Sequence, residues 1–200
     1  MLSRTLAVVC AVSFLLSSGL AHAQATGDAD FVSFSSLTQE QQTSLTQAAN
    51  FLTTVGGEDL SGITLCGADT HGQGIGASTP TTIGVDFKGL EQIVPPGTPG
   101  APGYPGLVMI VMFHELQHLH HGWGRGYCDE IGIQLYTAQK QCEFIQYLVS
   151  EGYGPIDAQC EFYAFIQSRI NSPATQAAIQ EHGCTSPTGS TTVLPCANCP

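Results

Sequence analysis

Apolar residues first recur at helical spacing between Ser36 and Thr54. Leu37, Leu45, Ala48, Ala49 and Leu52 share one face there, and Gly56-Gly57 ends the run. Residues 24–36 are small and polar and predict an irregular start. Ile63-Thr64-Leu65-Cys66 predicts a strand, Gly67 to Ser78 is rich in glycine, and Thr81 to Phe87 alternates like a second strand. From Val94 to Gly106 glycine falls at every third position with proline before it, a collagen-like rhythm. The run is too short for a triple helix and reads as an extended, polyproline-like loop. Beyond it the pattern changes. Leu107 to His121 has neither glycine nor proline and predicts one largely buried helix, broken by Gly122-Trp123-Gly124-Arg125-Gly126. Cys128 to Ser150 carries Ile131, Leu135, Ala138, Cys142, Ile145 and Leu148 or Val149 on one stripe, a second long helix. Gly152 to Pro155 turns the chain, Ile156 to Asn171 predicts a third helix and Pro173 to His182 a short fourth. A Ser/Thr/Pro/Cys tail follows from Thr185. Gln159-Cys160-Glu161-Phe162 echoes Gln141-Cys142-Glu143-Phe144, and no other repeat is found. The pattern predicts an α+β fold: a small N-terminal sheet, then a mostly helical C-terminal half.

The first 23 residues stand outside that fold. Arg4 is a positive n-region, Thr5 to Leu20 is apolar or small, and Ala21-His22-Ala23 gives a small-x-small cleavage pattern, with Ala23-Gln24-Ala25 a second register. A signal peptide is the better reading than a membrane anchor, because the apolar run is short for a span and a polar stretch follows it. No later segment is long enough to span a bilayer. Residues 24–184 are expected to form a single domain and 185–200 a tail, with the mature protein secreted or periplasmic.

Seven of the cysteines lie beyond the leader: Cys66, Cys128, Cys142, Cys160, Cys184, Cys196 and Cys199. Export makes disulfides their default state, and the odd number leaves one thiol over. Cys196-x-x-Cys199 has no second CxxC to complete a metal knuckle, so disulfide bonding is its better reading. The 16 acidic residues against 5 basic ones, a net charge of -11, exclude nucleic acid as a natural partner and disfavour an anionic membrane surface.

His114-Glu115-Leu116-Gln117-His118 is an H-E-x-x-H pattern. Residues four apart share a helix face, so both imidazoles can reach one ion, with Glu115 one step away beside the open position. Neutral imidazoles suit Zn²⁺, which makes water acidic enough to lose a proton near neutral pH. Glu115 is then placed to accept that proton while the water attacks a carbonyl, and to hand it to the leaving amine. Chance matches to the pentapeptide arise in roughly one chain in a hundred of this length, and few of those would fall inside an uninterrupted helical stretch of an exported chain.

A helix bearing HELQH, a short loop and a second helix with an early Glu resemble the gluzincin-type zinc metallopeptidases. The resemblance runs from about Leu65 to Ser150, and only the pentapeptide is a sharp motif. It implies a zincin-like fold, Zn²⁺ as cofactor, a protein or peptide substrate, and a third ligand from a Glu on a later helix. It also implies that Thr81 to Phe87 corresponds to the edge strand along which substrates lie. The metzincin extension is absent: it needs Gly at position 121 and His at 124, where this chain has His121 and Gly124.

Position favours Glu130 as that ligand. The motif helix ends shortly after His118, a short loop reverses the chain, and Glu130 falls in the first turn of the next helix. Cys128-Asp129-Glu130-Ile131 also resembles the C-x-E-I segment of a family of mitochondrial intermembrane peptidases, with tighter spacing. Gln134 stands where thermolysin-like gluzincins carry an Asp that orients a zinc histidine, and its amide oxygen would accept the same bond less strongly. Glu161 is the rival, since Glu161-Phe162-Tyr163-Ala164 resembles the ligand-bearing segment of the anthrax lethal factor family. Asp129, His121 or a water-completed site remain open, while Glu143 lies roughly 20 Å along the second helix and points elsewhere.

His120 and His121 extend the histidine cluster and read as a polar helix end favoured by the dipole. Tyr127, Tyr136 and Arg125 are possible oxyanion stabilisers, among which nothing selects. His71 reads as structural or exposed. The function these residues imply is zinc-dependent peptide-bond hydrolysis outside the cytoplasm. Two other classes stay open: a zinc-binding domain of the same fold without activity, against which Glu115 argues, and a disulfide-stapled interaction domain without metal. Substrate, disulfide connectivity, oligomeric state and the role of the loop at 95–106 are not written in the pattern.

Overall fold

The computed structural model describes residues 29–95, 98, 105–120, 126–152 and 154–199. The expected leader, most of the Gly/Pro-rich loop, and His121 to Arg125 lie outside the described residues. Among the described residues four strands and six α-helices follow in the order β1 (Asp30–Val32), α1 (Gln39–Thr54), β2 (Thr64–Asp69), β3 (Gly76–Thr79), β4 (Thr82–Val85), α2 (Phe87–Ile93), α3 (Pro105–His120), α4 (Tyr127–Ser150), α5 (Asp157–Ile170) and α6 (Pro173–His182). The fold is α+β.

The first helix starts later than its apolar pattern because Thr38 caps it. The Thr38 hydroxyl accepts from the Gln41 amide at 3.2 Å, and the Thr38 amide donates to Gln41 Oε1 at 3.0 Å, a reciprocal capping box. Residues 24–36 are not wholly irregular: they include β1 and a single 3₁₀ turn at Phe34–Ser36. A three-residue strand carries too little periodicity to read, and β1 exists because it pairs with β2 in antiparallel register, Phe31 opposite Ala68.

The sheet order is β1-β2-β4-β3, with β2 and β4 parallel and the outer pairs antiparallel. Two expectations are corrected here. The glycine-rich stretch contains a strand, β3, joined to β4 by a two-residue turn at Pro80-Thr81 with Thr79 opposite Thr82. The alternating segment Thr81 to Phe87 is cut short at Val85, and a helix begins at Phe87. The cause is Asp86, whose buried carboxylate accepts from the Gly89 amide at 2.8 Å and from the Thr70 amide and hydroxyl at 3.1 and 2.8 Å. It caps α2 and ties it to the end of β2. Consequently β4 is interior, and the edge strand beside α3 is β3.

Helix α3 is the centre of the molecule. Leu107 to Phe113 are all buried, and the core they form draws on α1 (Leu45, Ala48, Leu52), the sheet (Ile83, Val85), α2 (Leu90) and α5 (Ala158, Phe162). A helix apolar on every side needs neighbours on every side, and this one has them. Each such fully buried side chain contributes about 1.5–3 kcal/mol. Helix α5 starts level with the start of α3: a Cβ on Gly106 would lie 2.5 Å from Gln159 Nε2, and Gln141 of α4 donates to the Gln159 carbonyl at 3.0 Å.

The C-terminal half has a second core around Ile131, Leu135, Ile145, Ile170 and Ile179. Disulfides Cys128–Cys184, Cys142–Cys196 and Cys160–Cys199 close over it. The CxxC cysteines are both in disulfides but reach different helices. Residues 185–199 are anchored rather than trailing: Val193 is buried, its amide donates to Asn171 Oδ1 at 2.9 Å, and Asn171 Nδ2 returns a bond to its carbonyl at 2.7 Å. The leftover thiol is Cys66, buried in β2, and burial pushes its pKa up to about 11. Among the described residues no helix is long and apolar enough to cross a membrane.

Candidate metal centre

The HELQH segment lies in the last two turns of α3, and the chain returns after residues 121–125 so that the first turn of α4 faces it. Glu130 Oε1 lies 3.3 Å from His114 Nε2, and Glu130 Oε2 lies 3.2 Å from His118 Nε2. One potential ligand atom from each of the three side chains falls within 4.8 Å of the others, the one such group found among the described residues. The two imidazole rings are 5.1 Å apart, as the four-residue helical spacing requires.

Charge is concentrated there. Burial alone would lower the pKa of His114, but the Glu130 carboxylate beside it, with a smaller push from Glu115, raises it above its usual 6.5. Burial would raise that of Glu130, yet the two imidazoles hold it well below the ordinary carboxylate range. The polar bookkeeping is unfinished. Glu130 Oε2 and His118 Nδ1 are buried without a hydrogen bond. A carboxylate with spare lone pairs between two imidazole nitrogens is a donor set that could hold a metal ion.

Gln134 does not orient a histidine. Its amide nitrogen donates to Glu130 Oε1 at 2.6 Å, because one helical turn separates the two on α4 and aims both at the same point. It steadies the carboxylate instead.

No protein-family model, curated protein or solved structure matches this chain.

Glu115 of α3 reaches toward the sheet and stays near enough to His114 for its charge to act on that imidazole. It is buried, and Ser78 Oγ of β3 donates to its Oε2 at 2.7 Å. Gly76, two residues earlier on the same strand, allows this approach: a Cβ there would sit 2.6 Å from Val111 Cγ1 and 2.7 Å from Glu115 Oε1. The edge strand therefore lies directly against the helix face that carries the motif's carboxylate.

The other candidate residues are elsewhere or otherwise engaged. Glu161 is exposed on α5. Glu143 is half-exposed and bonded to Lys140 at 2.6 Å. Asp129 Oδ2 accepts from the Gly126 amide at 3.2 Å and so caps α4. His120 Nδ1 lies 3.5 Å from Glu58 Oε2, and His71, with a positive φ of 52°, lies between Asp30 and Asp69. Tyr136 packs its ring on Phe113; the Tyr127 ring lies against His182 with its hydroxyl buried and unbonded. His121 and Arg125 lie outside the described residues.

Two residues near the centre have no signal in the sequence. Ser78 sits in the glycine-rich stretch, where nothing marks it. Arg169 is a lone cation late in α5, and its charge acts on both His114 and Glu130.

Proposed function

We propose that this chain is an exported zinc-dependent metallopeptidase of zincin-like fold. The observation that carries the proposal is the joining of two things the chain places far apart. His114 and His118 converge with Glu130 on one point, while Glu115, between them in sequence, is held against β3, the last strand of the sheet. A two-histidine, one-glutamate set suits zinc, and three protein ligands with an open position belong to catalytic rather than closed structural sites.

His114, His118 and Glu130 would hold the ion. Zn²⁺ in that place supplies Lewis acidity, polarising a substrate carbonyl and making a water a stronger nucleophile. The chain's own residues do the rest. Strand β3 is the last strand of the described sheet, and an extended peptide would lie along it as an added strand. Glu115 takes a proton from the attacking water and delivers it to the amine that leaves. Ser78 fixes the Glu115 carboxylate by donating to Oε2, leaving Oε1 for proton transfer. Gln134 does the same for Glu130. The disulfides fit an oxidising compartment, in keeping with a cleaved leader.

The test is Glu115→Gln in the mature protein, assayed on a mixed peptide library together with elemental analysis. Parent protein should carry one zinc per chain and cut peptides. The variant should keep the zinc and lose at least ~10² in turnover. Zinc-loaded parent that cuts nothing in the library, or a variant as active as the parent, would sink the peptidase reading.

A further inference from the structure

We infer that Arg169 is the anion-recognition group of the same cleft and binds a carboxylate of the peptide ligand. The inference rests on reading His114, His118 and Glu130 as the metal centre of a peptidase, and it names which peptides that centre accepts.

Position comes first. Gln159 of α5 is level with Gly106 of α3 and with Gln141 of α4. The start of α5 packs Ala158 and Phe162 into the core around α3, and its end packs Ile170 into the core containing Ile131. Helix α5 thus runs parallel to α3 and antiparallel to α4. Ten residues on, about 15 Å at the helical rise, Arg169 comes level with Leu116 on one side and Ile131 on the other. Those are the neighbours of the ligand residues. Arg169 also continues the α5 stripe Ala158, Phe162, Phe165 or Ile166, the face turned toward α3.

Its surroundings come second. The chain has 5 basic residues against 16 acidic ones. Lys88 is exposed and Lys140 is bonded to Glu143. Arg169 is half-buried, and among the described residues its guanidinium makes neither a hydrogen bond nor an ion pair; only the charges of Glu130 and His114 act on it, from a distance. A half-desolvated guanidinium with five donors and so many acids to choose from is costly to leave unpaired. Its natural complement is supplied from outside, and the planar fork matches a carboxylate in bidentate geometry. In a peptide that carboxylate is either the free C-terminus or an Asp or Glu side chain.

The experiment uses the mature, zinc-loaded chain with Glu115→Gln to prevent turnover, and calorimetric titration with three probes. These are N-acetyl-Ala-Ala-Phe as the free acid, the same peptide as its C-terminal amide, and N-acetyl-Ala-Glu-Ala amide. One of the two acidic probes should bind at least ~10-fold tighter than the neutral amide, and which one identifies the source of the carboxylate. Adding Arg169→Gln should erase that preference while zinc content stays at one per chain. Should that variant not fold, peptide mapping of phenylglyoxal modification gives the answer without it: the preferred acid, and not the amide, should slow reaction at Arg169. Acidic probes that bind no tighter than the amide, a preference that survives Arg169→Gln, or unprotected modification each overturn the inference. With zinc still bound, such failure falls on Arg169 alone; a chain that holds no zinc instead removes the reading beneath it.

Discussion

Gly76→Ala tests whether the edge strand is pressed against the motif helix. The new Cβ would lie 2.6 Å from Val111 Cγ1, 2.7 Å from Glu115 Oε1 and 3.0 Å from Glu115 Cγ. Ordinary carbon contacts begin near 3.5 Å, so the strand must retreat by about 1 Å. Val111 cannot rotate away cheaply, since a β-branched residue in a helix has one strongly preferred rotamer. Retreat also stretches the 2.7 Å bond from Ser78 to Glu115 beyond hydrogen-bond range. Overpacking costs about 1–3 kcal/mol and loss of a bond to a charged group about 1.5–3 kcal/mol. Together they should lower Tm by roughly 5–24 °C in a chain of this size. Zinc content should not change, because β3 supplies no ligand. The decisive assay is a double-mutant cycle by thermal or urea unfolding with Ser78→Ala. If retreat has already broken the Ser78 bond, Ser78→Ala costs clearly less in the Gly76→Ala background than in the parent. Equal costs in both backgrounds, or a Tm for Gly76→Ala within error of the parent, would refute the packing argument.

Further outcomes follow from the same geometry. Glu130→Ala should weaken zinc binding by at least ~10² in chelator competition while Glu161→Ala leaves it unchanged, because Glu161 is exposed away from the cluster; loss of zinc in Glu161→Ala alone would hand it the ligand role. In metal-free protein the raised pKa of His114 contributes stability that is present below 6.5 and lost as pH rises through its folded value, and the depressed pKa of Glu130 contributes stability present above 4.5 and lost as pH falls toward its folded value. Metal-free stability from this pair should therefore peak between 4.5 and 6.5, and Glu130→Gln should flatten the profile; an unfolding curve that strengthens steadily from about pH 5 to 8 contradicts it. Replacing Cys142 and Cys196 by serine opens a link spanning 54 residues and should cost about 4 kcal/mol in denaturant unfolding, so a midpoint unchanged from the parent would count against it.

Local signals carried much of this protein. The apolar run from Leu107 to Phe113 and the stripe of α4 are periodic over several turns, and helices that long declare themselves. The four-residue spacing of His114 and His118 fixes their common face before any tertiary contact forms. Glu130 was within reach of the same reasoning because a short loop leaves an antiparallel partner helix little freedom.

What the sequence could not hold was anything decided by distant contacts. Strand β3 is made of Gly76, Ala77, Ser78 and Thr79, of which only Thr79 favours a strand, and it exists because β4 pairs with it and α3 leaves room only for glycine at position 76. Asp86 ends β4 because Thr70, sixteen residues earlier, completes its bonds. How α5 lies decided that Glu161 is exposed while Glu130 meets His114 and His118, and it also decided that the charge of Arg169 reaches His114 and Glu130. Side-chain chemistry and short-range periodicity are properties of a segment. Which segments meet is set by burying all sides of α3 at once, and only the folded chain solves that.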